Sequence, residues 1–169
     1  MPKVISSDVT DVPERRRSVP NVGLFVNSAV LDFITDHADL GLLDDREVMG
    51  LLIGHVYRDS GGTYALAERT VTGSLDADSV SVRFDRNSVS DLIDSLDGMK
   101  EGERVVGWYH SHLDHGCFMS ETDVATQDSL FAGETGFAIV VDPVRGELAV
   151  FDSEKGDPKK TDMIIMSDD

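Results

Sequence analysis

His110, His112 and Asp123 are the residues of this chain whose types and spacing can do chemistry. Imidazole and carboxylate together form a ligand set for divalent metals, zinc in particular. The two histidines follow the apolar run Val105–Tyr109, which reads as a strand. Alternate residues of a strand point to one side, so both imidazoles can face one point where that strand ends. Ser120-Glu121-Thr122-Asp123 has the S-x-x-D form of a capping box. Such a box opens a helix and fixes Asp123 in its first turn. The intervening loop can fold Asp123 back beside the histidines. Two histidines and one carboxylate leave a fourth position open, the pattern of a catalytic site holding one Zn2+ per chain rather than of a closed structural site. Either fragment alone is ordinary. Histidines two apart occur in cores and on surfaces, and S-x-x-D is a common helix start. The joint spacing behind a strand is what points to metal.

The elements that must hold these residues can be read along the chain. Val22–Val26 is a short apolar strand. Asn27 and Ser28 cap a helix with Val30, Leu31, Ile34 and Ala38 on one face. Met49–Tyr57 is a continuous apolar run, the mark of a strand buried on both faces. The turn Gly61-Gly62 returns it as the strand Thr63–Thr72. Val89, Leu92, Ile93 and Leu96 follow the spacing of an amphipathic helix. A third helix runs from Ser120 to about Phe131. Gly136–Val141 and Glu147–Phe151 are strands around the turn Asp142–Gly146, and Met163–Met166 is one more. The pattern predicts an α/β fold, a mixed central sheet sandwiched with about three helices. Residues 1–20 contain Pro2, Pro13, Pro20 and the run Arg15-Arg16-Arg17. They read as a flexible N-terminal tail ahead of a single domain over 21–166.

Composition excludes several function classes. Asp and Glu number 32 against 15 Lys and Arg, a formal net charge of −17. That surface repels phosphate backbones, so no nucleic acid is expected as a partner. No stretch approaches the roughly 18 apolar residues of a membrane span, so no membrane is expected. The start MPKVISSDVT lacks the features of a signal peptide, and a soluble, cytoplasmic protein is expected. Cys117 is the one cysteine, which excludes an internal disulfide and a Cys-rich zinc finger. Zinc must then be held by histidine and carboxylate.

The stretch H-x-H-x7-S-x-x-D resembles the signature of the JAMM (JAB1/MPN+) zinc metalloproteases. Val106-Gly107-Trp108-Tyr109-His110-Ser111-His112, Gly116-Cys117, Ser120, Asp123 and Thr126-Gln127 resemble the deubiquitinating branch found in the proteasome lid and the signalosome. Val140-Val141-Asp142-Pro143 resembles that family's following strand and turn. Upstream, Glu47-Val48-Met49-Gly50-Leu51-Leu52-Ile53-Gly54 resembles its E-x-x-G-L-L-x-G strand. The resemblance covers about residues 22–151. It implies the MPN domain, a cytidine-deaminase-like sandwich. It implies His110, His112 and Asp123 as zinc ligands, with an activated water attacking the scissile carbonyl. It implies Glu47 as the general acid/base and Ser120 as the donor to the oxyanion. The family usually has proline after the second histidine. Here Leu113-Asp114-His115 stands in that loop, which is freer without proline's fixed φ.

The resemblance also implies a substrate: an isopeptide bond between ubiquitin or a ubiquitin-like modifier and a lysine, in a proteasome-linked pathway. Val80, Ser81, Val82 and Arg83 alternate as a strand should, in the position of the family's first insertion. They are the expected edge onto which an extended tail adds as a strand. The chain ends soon after its last strand, in the manner of archaeal or bacterial stand-alone relatives. Two other readings stand beside this one. The first is a catalytically silent MPN scaffold subunit, whose relatives usually lose ligands. The second is a zinc hydrolase of a small amide or sulfur-carrier adduct. Nucleobase deamination needs H-x-E and P-C-x-x-C, which one cysteine cannot supply. A cysteine nucleophile at Cys117 is disfavoured, since the resemblance makes that residue packing beside the metal. His115 reads as solvated or substrate-facing, and His37 and His55 as structural.

Overall fold

The computed structural model describes residues 14–19, 21–72, 100–131, 134–153 and 157–167. In chain order the elements are β1 (Leu24–Asn27), α1 (Ser28–Leu43), β2 (Met49–Asp59), β3 (Gly62–Val71) and β4 (Arg104–Ser111). They continue with α2 (Glu121–Phe131), β5 (Phe137–Asp142), β6 (Glu147–Asp152), β7 (Lys160–Thr161) and β8 (Met163–Met166). The strands form one mixed sheet in the order β7-β6-β5-β4-β2-β3-β1-β8. Pairs β1·β3, β1·β8 and β4·β5 are parallel, and the others antiparallel. The mixed α/β sandwich expected from the sequence is what the chain adopts. The helix read over Val89–Leu96 and the edge read at Val80–Arg83 lie outside the described residues. Among the described residues, no helix is long and apolar enough to cross a membrane.

Each face of the sheet carries its own core. On one, Val30, Ile34 and Ala38 of α1 pack on Leu24, Val26, Leu52, Val106, Tyr109 and Ile139. On the other, Leu130 and Phe131 of α2 pack with Met49, Leu51, Ile53, Trp108 and Val140. Central strands covered on both faces explain the unbroken apolar runs of β2 and β5. Asn27 occupies the N-cap position of α1 with extended backbone, but its side chain makes no capping hydrogen bond, unlike the expectation.

β4 departs from simple alternation. Its pairing with β2 runs Leu52↔Gly107 and then Ile53↔Val105, leaving Val106 as an extra residue. This bulge shifts the side-chain phase, as bulges do. Val105 and Trp108 therefore share one core, while Val106 and Tyr109 share the other. Trp108 and the residues in step with it, His110 and His112, end on the face that α2 covers. A second irregularity lies where Ile53↔Arg69 is followed by Gly54↔Ala67. A Cβ built on Gly54 would sit 1.7 Å from the Leu66 carbonyl oxygen, so only glycine fits this approach of two backbones. We expect Gly54→Ala to cost about 3 kcal/mol through forced backbone movement. That lowers the melting temperature by roughly 6–12 °C for a domain of this size. Calorimetry showing an unchanged transition would refute it.

The leader read as a solvated tail is anchored at its described end. Arg17 donates from Nη2 to Asp59 Oδ1 at 2.7 Å and from Nη1 to the Val22 carbonyl at 2.8 Å, with its guanidinium over the Tyr64 ring. The planar fork of arginine suits a paired carboxylate and an aromatic face at once, which a run of three arginines does not reveal.

Candidate metal centre and active site

β4 delivers His110 and His112 side by side, both buried, with ring centroids 5.0 Å apart. The His110 ring is stacked on Trp108, centroids 4.5 Å apart. Trp108 Nε1 donates to Gln127 Oε1, and Gln127 Nε2 donates to the Asp152 carbonyl at 2.9 Å. Gln127 has no exposed surface. This buried amide ties α2 to β4 and β6, which fixes how the start of α2 meets the histidines.

The start of α2 is the reciprocal box read from the sequence. Ser120 N–H donates to Asp123 Oδ2 at 2.9 Å, and Asp123 N–H donates to Ser120 Oγ at 3.1 Å. Asp123 Oδ2 lies 3.1 Å from His110 Nε2 and 3.3 Å from His112 Nε2. One ligand atom from each of the three residues can be chosen so that all lie within 4.8 Å of one another. Burial pushes the Asp123 carboxyl up, but His110, His112 and the Ser120 amide outweigh it. The group is held far below the usual carboxylate range, as an anion.

Zinc fits these residues on two observations. His112 Nδ1 lies 2.7 Å from the Gly116 carbonyl oxygen. A carbonyl only accepts, so Nδ1 carries a proton, and Nε2, 3.3 Å from Asp123 Oδ2, is the nitrogen that faces the cluster and would ligate a metal there. Neither nitrogen of the buried His110 ring has a hydrogen-bond partner among the described residues; its contact with Asp123 lacks hydrogen-bond alignment. An orphaned buried imidazole costs about 1–3 kcal/mol, which a metal bond removes.

Glu47 is buried and sits just ahead of β2, not within the strand as the resemblance implied. The register explains how it still reaches the site. Met49 pairs with His110, and Ser111 N–H donates to the Val48 carbonyl at 2.9 Å while Val48 N–H donates to Ser111 Oγ at 2.8 Å. One further step along both strands sets Glu47 opposite His112. Its charge is among the influences that raise the His112 pKa; burial lowers it, and Asp123 and the Gly116 carbonyl dominate the rise. A cavity of about 200 Å³ opens beside Glu47, lined also by His37, Leu40, Asp44, Met49 and Thr72.

Other residues lie partly near this cluster and partly away from it. His115 is exposed and stands outside the ligand group. Cys117 packs against the α2-side core, and burial pushes its thiol pKa up, away from a nucleophilic thiolate. Phe118 is half exposed with its ring 4.9 Å from that of His112, a wall of the site. His37 pairs with the buried Tyr109 hydroxyl at 2.7 Å, and His55 pairs with Glu68. Val80, Ser81, Val82 and Arg83 lie outside the described residues. Sequence reasoning treated Asp142 only as the start of a turn. It is fully buried, and four backbone N–H groups hold its pKa down against burial. The Asp-Pro step at the end of a strand was the available signal.

Known proteins are similar to this chain. The profile of the JAB1/Mov34/MPN/PAD-1 ubiquitin protease family matches residues 22–133. The chain is 29% identical over 152 residues to the 26S proteasome non-ATPase regulatory subunit 14 of Dictyostelium discoideum, covering 85% of this chain and 45% of that one. It is 33% identical over 126 residues to COP9 signalosome complex subunit 5 of Candida albicans, covering 72% of this chain and 20% of that one. It thus spans less than half the length of these curated relatives. The solution structure of protein DSY2949 from Desulfitobacterium hafniense superposes with a TM-score of 0.63 at 20% identity, over 86% of this chain and 94% of that one, a likeness of fold. With the profile matched over two-thirds of its length, this chain belongs to the JAB1/Mov34/MPN/PAD-1 ubiquitin protease family.

Proposed function

We propose that the protein is a zinc-dependent isopeptidase that removes ubiquitin or a ubiquitin-like modifier from lysine. The observation that carries this reading is the buried His110–His112–Asp123 cluster, with the buried Glu47 two residues ahead of the Met49 that pairs with His110. Zinc bound there would act as a Lewis acid and lower the pKa of a coordinated water toward about 7. Glu47 takes the proton of the attacking water and hands it to the leaving lysine amine, which otherwise departs as a poor leaving group. Ser120 Oγ accepts the Asp123 N–H and still has its own proton to donate to the developing oxyanion. His112 is held by Gly116 so that Nε2 faces the ligand cluster, and Trp108 backs His110. Val80, Ser81, Val82 and Arg83, which lie outside the described residues, are the proposed edge for strand addition by the extended tail.

The intact ligand set together with Glu47 and Ser120 argues against a silent scaffold, for which these residues would have no use. The test is incubation of purified protein with lysine-linked ubiquitin-like conjugates, with and without a zinc chelator. We expect release of the free modifier, abolished by chelator and restored by zinc. No metal-dependent release from any conjugate, with zinc bound, would overturn the isopeptidase reading and favour a small amide or sulfur-carrier adduct.

A further inference from the structure

The loop after His112 must hold its shape without the proline common in the family, and Asp142 explains how it does. The Asp142 carboxylate is fully buried at the end of β5. It accepts four backbone N–H groups. Two belong to its own turn, Val144 at 3.1 Å and Arg145 at 3.2 Å. Two belong to the loop after His112, Asp114 at 3.1 Å and Gly116 at 2.8 Å. A turn-initiating aspartate needs only the first two. The other two reach a segment about thirty residues earlier in the chain. That segment has two left-handed residues, Asp114 at φ 64° and Gly116 at φ 82°, a conformation that aspartate adopts only with support. Arg145 adds a strap from outside: Nε donates to Asp114 Oδ1 at 3.0 Å and Nη2 to the Asp114 carbonyl at 3.2 Å. Gly116 is the junction. Its N–H is on Asp142, and its carbonyl takes the proton of His112 Nδ1.

We propose that Asp142 is the positioning residue of the metal centre, acting through the Gly116 peptide to fix the tautomer and aim of His112, with Arg145 as its outer strap. The assignment rests on His110, His112 and Asp123 being the metal ligands. Asp142 lies outside the ligand group and acts only through the loop. Outer partners of ligating histidines are worth about 10–100-fold in metal affinity. Here the partner is a backbone carbonyl, and a backbone carbonyl can be aimed only by whatever holds its peptide.

Asp142→Asn keeps the shape but replaces one acceptor oxygen by an N–H2 facing an N–H. We expect its zinc affinity, measured by competition with a chromogenic chelator, to fall about 10–100-fold. We expect Arg145→Ala, at a half-exposed position, to give a smaller fall in the same direction. Asp59→Asn, which breaks the Arg17 ion pair far from the metal ligands, is the control for general destabilisation: it lowers the melting temperature and leaves zinc affinity unchanged. At a pH where the His112 ring is neutral in the metal-free protein, its 15N shifts should report a larger Nδ1-protonated fraction in the wild type than in Asp142→Asn. Unchanged zinc affinity and unchanged His112 shifts in Asp142→Asn would overturn the proposal, as would an equal loss of affinity in Asp59→Asn. Neither readout needs a substrate, so failure to cleave conjugates would leave this assignment standing. A wild type that bound no zinc would overturn the proposal together with the metal centre it rests on.

Discussion

Glu47→Gln is expected to keep one zinc per chain and lose about 10²–10⁴-fold in turnover, the usual worth of a general acid/base. That corresponds to roughly 3–5 kcal/mol of barrier. The substitution keeps the size and hydrogen-bonding reach of the side chain and removes only its ability to exchange a proton. Because Glu47 lies outside the ligand cluster of His110, His112 and Asp123, the metal content should not change. The check is metal analysis and single-turnover cleavage on the same preparation. Loss of zinc in this variant would make Glu47 a ligand. Full turnover would remove it from the chemistry altogether.

The second large effect is on the metal itself. His110→Ala removes one of three ligands and should reduce zinc affinity by more than the roughly 10–100-fold that loss of an outer partner costs. The readout can be thermal. A ligand at a thousand times its dissociation constant stabilises the folded state by about 4 kcal/mol. For a domain of this size that is a rise of roughly 8–16 °C in melting temperature. We expect that rise when zinc is added to the metal-free wild type, and at the same concentration a rise below roughly 3–6 °C in His110→Ala, since a loss of more than about 100-fold leaves less than about 1.4 kcal/mol of stabilisation. The metal-free variant should suffer little from losing the imidazole's polarity. Alanine removes a buried ring that lacks an aligned hydrogen bond among the described residues, but it also removes a neighbour that lowers the Asp123 pKa, so the two effects oppose each other. An equal zinc-induced rise in both proteins would place the metal elsewhere.

Several features were legible because they depend on neighbours in the chain. Ser120 and Asp123 are three residues apart, and a capping box is a local hydrogen-bond exchange, so its form in the sequence is its form in the structure. The unbroken apolar run of β2 follows from cores on both faces of the sheet. The sequence pairs β2 and β3 through the Gly61 turn, and the chain does so. It does not show β7, whose two residues carry no periodic signal, nor the joining of β1 to β8 from opposite ends of the chain. The position of Glu47 was legible only by family likeness, and that likeness placed it inside a strand that begins two residues later.

The metal centre divides the same way. Which side chains are available is legible in the residues alone: two histidines in step at a strand end, a carboxylate locked in a helix start, and a single cysteine, too few for a Cys-rich site. Residue type and short-range spacing are enough for that, because strand alternation and capping act over a few residues. That these groups meet depends on contacts between distant segments. The bulge at Val106 turns His110 and His112 toward the face that α2 covers, and Gln127 docks α2 there. Antiparallel register brings Glu47 opposite His112, and the buried Asp142 carboxylate shapes the loop whose carbonyl aims that ring. Each of these is a contact between segments far apart in the chain. It is set by which backbone groups remain to be satisfied once the sheet has formed, and no local pattern encodes that.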